Sequence, residues 1–476
     1  MSRKLALSLS LIILLICALD TAVKVEKVKA SEIIYIRAYG GIDPPTAPIL
    51  NVDNVTYYFT DNISDSIVVE RSNIIIDGSG YTLQGSMTGT AYYLSEIKNV
   101  TIKNTSIENF TYGVEFNSAS NNTLFGNRLR NTDYGVKLYR SSNNIISRNN
   151  LTYLFKYSIW LSRSSNNTIS ENIITNNDYG VGLSHSSNNT ISENTIRNHE
   201  WCGVVLDSSS NNTLVGNDIT NNNDYGVWLI QSSSNIFIRN YITNNARYGI
   251  VFDLSSDNTA LGNSITDNYA GVWLNSSSNN TLSEGDITRN NDHGIRLDSS
   301  FNNTVFGNNI TNNSNGVSLN LSSNNKLYHN NFISNSICQS LIYQSAGNFW
   351  DLGYPSGGNY WSDYTGTDLF CGPYQNATGF DWIGDSPHII DETNRDNYPL
   401  IDHYVPKRHE TREAYRILLE RYNEILLNFK GMNSTCYSLM DELSKVRNLM
   451  YIFAATTVIF IIATVYLVTK TKIFRV

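Results

Sequence analysis

The sequence predicts an all-β solenoid, a right-handed parallel β-helix, and three observations lead to it. An asparagine recurs at steps of 22 or 23 residues, at Asn104, Asn127, Asn149, Asn172, Asn194, Asn217, Asn240, Asn263, Asn308 and Asn330, with Gly285 filling the one gap. A glycine moves in step with it, at Gly113, Gly135, Gly180, Gly203, Gly226, Gly249, Gly271, Gly294 and Gly316. Within each unit the apolar residues alternate: Val227 and Leu229 flank Trp228, and the run from Thr190 to Ile196 alternates likewise.

Alternate residues of a strand share one face, so each unit offers two or three short strands with one apolar side. A lone unit cannot bury that side, whereas stacked units bury a continuous column. Strands of successive units are then parallel and ~4.8 Å apart, and parallel crossovers are right-handed. No unit carries an apolar 3.6-residue period, which excludes helical repeats. A leucine-rich repeat needs several leucines per unit, and these units are Asn-rich and leucine-poor. The asparagine column reads as a ladder of stacked amides at a tight corner. The glycine column reads as a corner that needs a positive φ or a close backbone approach. The stretch from Asn104 to Asn330 spans ten steps, a rod ~48 Å long at ~4.8 Å per step.

The flanking segments read in chain order. Residues 1–30 have the basic start, apolar run and Val28-Lys29-Ala30 end of a secretory signal peptide. Residues 31–103 form an N-terminal cap and first coils, residues 104–346 the repeats, and residues 347–405 a Trp-, Tyr- and Asp-rich cap that closes the last open edge. Residues 406–448 read as a helical stalk, because Tyr415, Leu418, Tyr422, Ile425, Phe429, Met432, Cys436, Leu439, Leu443, Val446 and Met450 follow alternating steps of three and four. That seam, over residues 415–450, predicts a homo-oligomer with Cys436 as a candidate interchain disulfide. Its rival is two short helices folded on each other, given Gly431 in the middle. Residues 449–469 carry no charge and predict a single transmembrane helix. The basic residues of the tail, 470–476, place that tail in the cytoplasm and everything before the span outside the cell. The expected location is therefore the cell surface.

Charged residues are 16% of the chain and the net charge is −8. A nucleic-acid partner is not expected, since such proteins carry a basic face. The mature cysteines, Cys202, Cys338, Cys371 and Cys436, show no metal-ligand pairing, and one bridge, Cys338 to Cys371, is open to an oxidising exterior. Sequons at Asn54, Asn62, Asn121, Asn166, Asn188, Asn211, Asn279, Asn302, Asn376 and Asn433 suit a glycosylated surface, or arise from the Asn/Ser/Thr composition of the repeat.

The coils from Ser72 to Asn330 resemble the NosD-like, carbohydrate-binding and sugar-hydrolysis (CASH) type of β-helix. The segment Gly347-Asn348-Phe349-Trp350-Asp351 resembles the same family, as do Gly353 to Tyr364, Gly384-Asp385-Ser386-Pro387 and Asn397-Tyr398-Pro399-Leu400. Tyr35-Ile36-Arg37-Ala38 with Asp43-Pro44-Pro45-Thr46-Ala47-Pro48 is similar to the leader of secreted archaeal members. The resemblance implies a pectate-lyase-like fold. Its name also implies copper, which needs grouped His, Met and Cys. The region before the stalk has one methionine past the leader, Met87, and scattered histidines.

Candidate chemistry falls into two groups. Glu171 and Glu193 are 22 residues apart and should stack on adjacent coils as a catalytic or calcium-binding pair, or as two solvated side chains at a tolerant position shared with Arg148, Gly216 and Arg239. Fragments of hydrolase motifs, Asn131-Thr132-Asp133 and Asp292-His293-Gly294, lie seven coils apart and cannot form one site. Outward aromatics are the second group: Trp160, Trp228 and Trp273 share one column, and Tyr134, Tyr157, Tyr179, Tyr225 and Tyr248 an adjoining one. Flat rings along a rod suit stacking on sugars, or express the strand preference of aromatics. Trp160, Trp228, Trp273, Tyr225 and Tyr248 are the glycan-binding candidates. Asp363, Asp368, Asp381, Asp385, Asp391 and Asp396 form a candidate calcium cluster or belong to the cap. No other cofactor is expected. Three functions follow: a non-enzymatic surface protein binding glycans or surface partners, a polysaccharide lyase or hydrolase, and a structural envelope component.

Overall fold

The computed structural model describes residues 33–405, and all its regular structure is β. The leader, stalk, transmembrane span and tail, with Cys436, Asn433 and the seam over residues 415–450, lie outside the described residues. No helix among the described residues is long and apolar enough to cross a membrane.

The chain winds through about 13 right-handed turns. One turn shows the plan: Thr168–Ser170, Ile173–Thr175 and Tyr179–Ser184 are its three strands, and Thr190–Ser192 opens the next turn against the first. Repetition gives parallel sheets of 14, 13 and 15 strands. We refer to the third, which holds the six-residue strands, as the long-strand sheet. A typical turn sends inward one apolar residue from each short strand and two from the long one. Ile169, Ile174, Val181 and Leu183 are all fully buried. Where Phe237 and Phe252 meet edge-on, 5.8 Å apart, the next coil supplies Ala260 beside Phe237, so a large volume is followed by a small one.

The corners carry the polar structure. Asn127 N donates to Asn149 Oδ1 (2.9 Å) and Asn127 Nδ2 to the same oxygen (3.1 Å), and the pattern repeats along the column to Asn263. Gly285 interrupts it, offering only its N–H to Asn308 Oδ1. The ladder resumes through Asn330 to Asn359. Asn104 is not part of it. Lys103 pairs with Phe125, which puts Thr105 beside Asn127, and Asn104 takes the left-handed position before it (φ 54°). A second asparagine ladder runs Asn122, Asn144, Asn167, Asn189 and onward to Asn348. A third runs Asn222, Asn245, Asn268, Asn290, Asn313 and Asn335. A serine ladder lines another corner, each N–H bonding the next coil's hydroxyl from Ser141 to Ser345. Stacking at strand spacing lets each buried amide satisfy backbone groups above and below it.

The glycine column is a close-approach column and not a positive-φ one. A Cβ at these glycines would stand 2.2–2.8 Å from a main-chain carbonyl oxygen of the next coil, in most cases that of the next glycine. The left-handed backbone falls on Arg148, Glu171, Glu193, Gly216, Arg239, Gly262 and Glu284, the residues just before the ladder position.

The two ends are sealed differently. At the first, Ile34–Ile36 pairs antiparallel with Ile42–Asp43, and Ile49–Asn51 with Thr56–Phe59, so no parallel edge stands open. At the second, Tyr360–Trp361 adds one more strand beside Asn331–Ile333. Trp361 then stacks on Phe332 (4.5 Å, 14°) and donates to Asp396 Oδ2 (2.9 Å). The Asp396 carboxyl is buried and pushed up to about 7 by desolvation, against the N–H groups of Asn359, Trp361 and Tyr398 that favour its charged form.

His199 takes the ladder position before Asn222 in the third column. Its Nε2 is buried without a partner, and burial pushes the imidazole down to about 4. Two outcomes are expected. Asn217→Ala orphans Asn194 N and Ile191 O and should cost about 2–6 kcal/mol in urea unfolding, at ~1–3 kcal/mol for each buried group left unpaired. His199 resists protonation when folded, so its contribution is complete above pH ~6.5 and disappears as pH falls toward 4, about 3 kcal/mol in all. Asp396 acts oppositely, losing stability as pH rises from about 4 to 7. Comparing wild type with His199→Asn cancels it, and the variant should lose less stability between pH 6.5 and 4.

Candidate functional site

The outer face of the long-strand sheet gathers the aromatics into columns. In the first, Tyr112 pairs with Tyr134 and Tyr157 with Tyr179, and the column ends at His293, Asn315 and Cys338. The second runs Lys137, Trp160, Gly182, Val205, Trp228, Val251, Trp273 and Arg296. A third, two residues on, reads Asp207, Ile230, Asp253, Asn275, Asp298 and Asn320. The structure therefore brings Trp160, Trp228, Trp273, Tyr225 and Tyr248 onto one face.

The rings lie against one another. Tyr112, Tyr134, Tyr157, Tyr179 and Trp201 stack in sequence, with centroids 5.3, 6.4, 4.5 and 6.4 Å apart. Tyr225 touches Trp228 (5.3 Å) and Tyr248 (6.1 Å), and Tyr248 stacks on Trp273 (5.0 Å). Trp160 leans on Tyr157 (4.4 Å) and covers Gly182, whose Cβ would meet the indole at 2.5 Å. Trp160 is thus also a packing residue. Trp201 joins the run although sequence spacing missed it. It sits one residue before the column position, which the buried Cys202 occupies, and remains 48% exposed.

Cations border the rings, each paired with a carboxylate. Lys137 bonds Glu115 (2.9 Å) and lies over Tyr112, and Lys156 pairs with Asp133 (3.1 Å) and lies over Tyr134. Arg247 pairs with Asp224 (3.2 Å) beside Tyr225. Arg296 Nε bonds Asp298 Oδ2 (2.7 Å), and the guanidinium lies 5.7 Å from the Trp273 ring. Asp298 Oδ2 also accepts Trp273 Nε1 (2.7 Å), its Oδ1 accepts Asn320 (3.1 Å), and Asp253 accepts Asn275 (2.8 Å). His293 stands in the same strand as Arg296 and Asp298, with Nε2 3.5 Å from Asp292. It is 8% exposed, its Nδ1 has no hydrogen bond, and burial keeps its pKa below the usual imidazole value. Asp292-His293 belongs, then, to a mixed acidic and basic group with Arg296, Asp298, Trp273 and Tyr248. The sequence carries the signal in His293, Arg296 and Asp298 of one strand, beside Trp273 one coil back.

The other candidates lie elsewhere. Glu171 and Glu193 sit at left-handed corners between the two short-strand sheets, which the long-strand sheet does not border. Glu171 is held by Arg148 (2.8 Å), and Glu193 is likewise engaged. Cys338 and Cys371 do not form the bridge that the sequence left open. Both are free, and the Cys338 thiol donates to Asn315 Oδ1 (3.2 Å) across the parallel strand pair. Burial pushes the Cys202 thiol up to about 12, which makes it a poor nucleophile. In the cap, Asp368, Asp381, Asp385, Asp391 and Asp396 accept main-chain N–H groups and so hold loops. Sequon residues Asn121, Asn166, Asn188, Asn211, Asn279 and Asn302 share one exposed corner, each just before a buried ladder asparagine.

A rod of parallel coils with an aromatic outer sheet is the class this geometry defines. The family described as periplasmic copper-binding protein (NosD) matches residues 70–248 and 242–366, more than half of the chain, and the chain belongs to that family. No curated protein sequence matches it. Among solved structures it is similar to the A-module of mannuronan C-5 epimerase AlgE6 of Azotobacter vinelandii, with a TM-score of 0.50, 15% identity, and coverage of 60% of this chain and 90% of that one. It is also similar to the periplasmic alginate epimerase AlgG, with a TM-score of 0.46, 16% identity, and coverage of 66% and 84%. At such identity the likeness to the AlgE6 module shows the fold alone. The donor set does not fit the family's copper. Among the described residues no group of three or more His, Cys, Asp or Glu is placed to hold a metal ion, and Met87 is the one methionine.

Proposed function

We propose that the protein is a non-enzymatic, extracytoplasmic glycan-binding rod whose contact surface is the outer face of the long-strand sheet. The observation that carries this reading is the presence of two ring clusters on one face, one stacked from Tyr112 to Trp201 and one joining Tyr225, Trp228, Tyr248 and Trp273. Aromatic faces bind sugars through C–H contacts and exclude water from neighbouring hydrogen bonds. The rings are half-buried, with Trp201 exposed, and a strip of aromatic side chains of this extent on an outer sheet face suits a contact surface. Its repeat of ~4.8 Å per coil presents rings at intervals suited to successive units of an extended polysaccharide. The family's periplasmic description supports a location beyond the cytoplasmic membrane, where such polymers occur.

A second reading, a polysaccharide lyase or hydrolase, draws on the grouping of His293, Arg296, Asp298 and Asp292. Arg296 and Asp298 are committed to each other there, and Asp298 carries two further donors, so the binding reading uses these groups as they stand.

Binding of residues 31–405 to a panel of polysaccharides tests the proposal. Trp228→Ala/Trp273→Ala should weaken binding at least about tenfold, since each ring contact contributes roughly 0.5–1.5 kcal/mol beyond its buried area. Unchanged affinity in the double variant, or no binding to any polymer, overturns the reading. Release of shortened or unsaturated chains from a bound polymer would favour the enzyme.

A further inference from the structure

We propose that the stretch of this face between Asp224 and His293 is a subsite for a neutral polyhydroxylated glycan, not an acidic one; the inference rests on the glycan-binding reading above. Three observations carry it. Tyr225, Trp228, Tyr248 and Trp273 form one contiguous platform. A buried polar atom without a hydrogen bond stands at each end: Asp224 Oδ1, whose contact with Arg247 is an ion pair without hydrogen-bond geometry, and His293 Nδ1. Buried polar atoms of folded proteins are almost always satisfied, so two orphans flanking one aromatic platform point to partners that a ligand brings. They are three coils apart along Asp224, Arg247, Tyr269 and Asp292, or ~14 Å.

Charge selects the ligand. Between residues 224 and 298 this face carries Asp224, Asp253, Asp292 and Asp298 against Arg247 and Arg296. Both arginines are already paired, with Asp224 and Asp298. A carboxylated or sulfated sugar would meet surplus negative charge and no unpaired cation. A hydroxyl both donates and accepts, so it can complement a row in which acceptors alternate with amides. Asp253, Asn275, Asp298 and Asn320 form that row beside Trp273. His293, whose pKa burial lowers, has in Nδ1 a nitrogen without a hydrogen bond, which can serve a hydroxyl as donor or acceptor.

The test uses the full chain and polymers that differ in charge: galactomannan, mixed-linkage β-glucan, and pectin in methyl-esterified and de-esterified forms, measured at low salt by affinity electrophoresis and calorimetry. The expected result is that at least one uncharged polymer binds, and that de-esterified pectin binds at least tenfold more weakly than its esterified form. His293→Phe removes the orphan nitrogen and keeps a ring of similar shape. It should bind the neutral polymer about tenfold more weakly while its Tm is unchanged or higher. Tighter binding of de-esterified pectin, or full affinity in His293→Phe, overturns the subsite and leaves the glycan-binding reading standing. Binding of no polymer overturns both.

Discussion

Everything in this molecule depends on the stacking of identical corners at strand spacing. A coil of 22 or 23 residues turns three times, and each turn removes main-chain groups from the sheet ladders. Buried without partners, those groups would each cost about as much as a lost hydrogen bond. The asparagine amide solves this because it is both donor and acceptor. Asn172 donates to Asn194 Oδ1 from its main chain and its side chain, and reaches back to Ile146 O. Such a bond exists only when the next coil places the same residue at the same corner. Composition, period and fold are therefore one constraint. The glycine column expresses it in steric form, since coils approach there too closely for a Cβ.

With the corners committed, the outward positions of the strands are free to vary, and that freedom is where function resides. The two short-strand sheets present mostly Thr, Ser and Asn, with charges and a few apolar residues such as Phe125, Phe306 and Tyr328 among them. The long-strand sheet concentrates tyrosine and tryptophan, whereas ion pairs occur on all three sheets. Six-residue strands give it three outward columns in place of one or two, enough breadth for a platform, a flanking cation and a hydrogen-bonding row. A rigid backbone holds these columns in register, so rings and polar groups are fixed before any ligand arrives.

Much of this was legible in the sequence. The period of 22 or 23, set by Asn127 to Asn330, determined the coil, and the pattern Gly-Val-x-Leu placed Trp228 and Trp273 outside. The other two asparagine ladders were not read, because Asn122 or Asn222 lies among neighbouring asparagines that look like turn residues. Only the structure separates the exposed Asn121 from the buried Asn122. Asn104 was assigned to the wrong column because a spacing of 23 is as regular as one of 22. The Cys338–Cys371 pairing stayed an open option in the sequence because spacing along the chain says nothing of where the cap folds. The group around His293 was seen as a fragment, since its members come from neighbouring coils and the sequence shows columns only after the register is known.

The most direct test of the account is hydroxyl-radical footprinting of the protein with and without a polysaccharide that it binds. Protection should fall on Trp201, Tyr225, Trp228, Tyr248 and Trp273, all on or beside the long-strand sheet. The exposed Tyr241, on a short-strand sheet, should be oxidised equally in both samples. Protection of Tyr241 with no change at Trp228 and Trp273 would show that the glycan uses another face and would contradict the account.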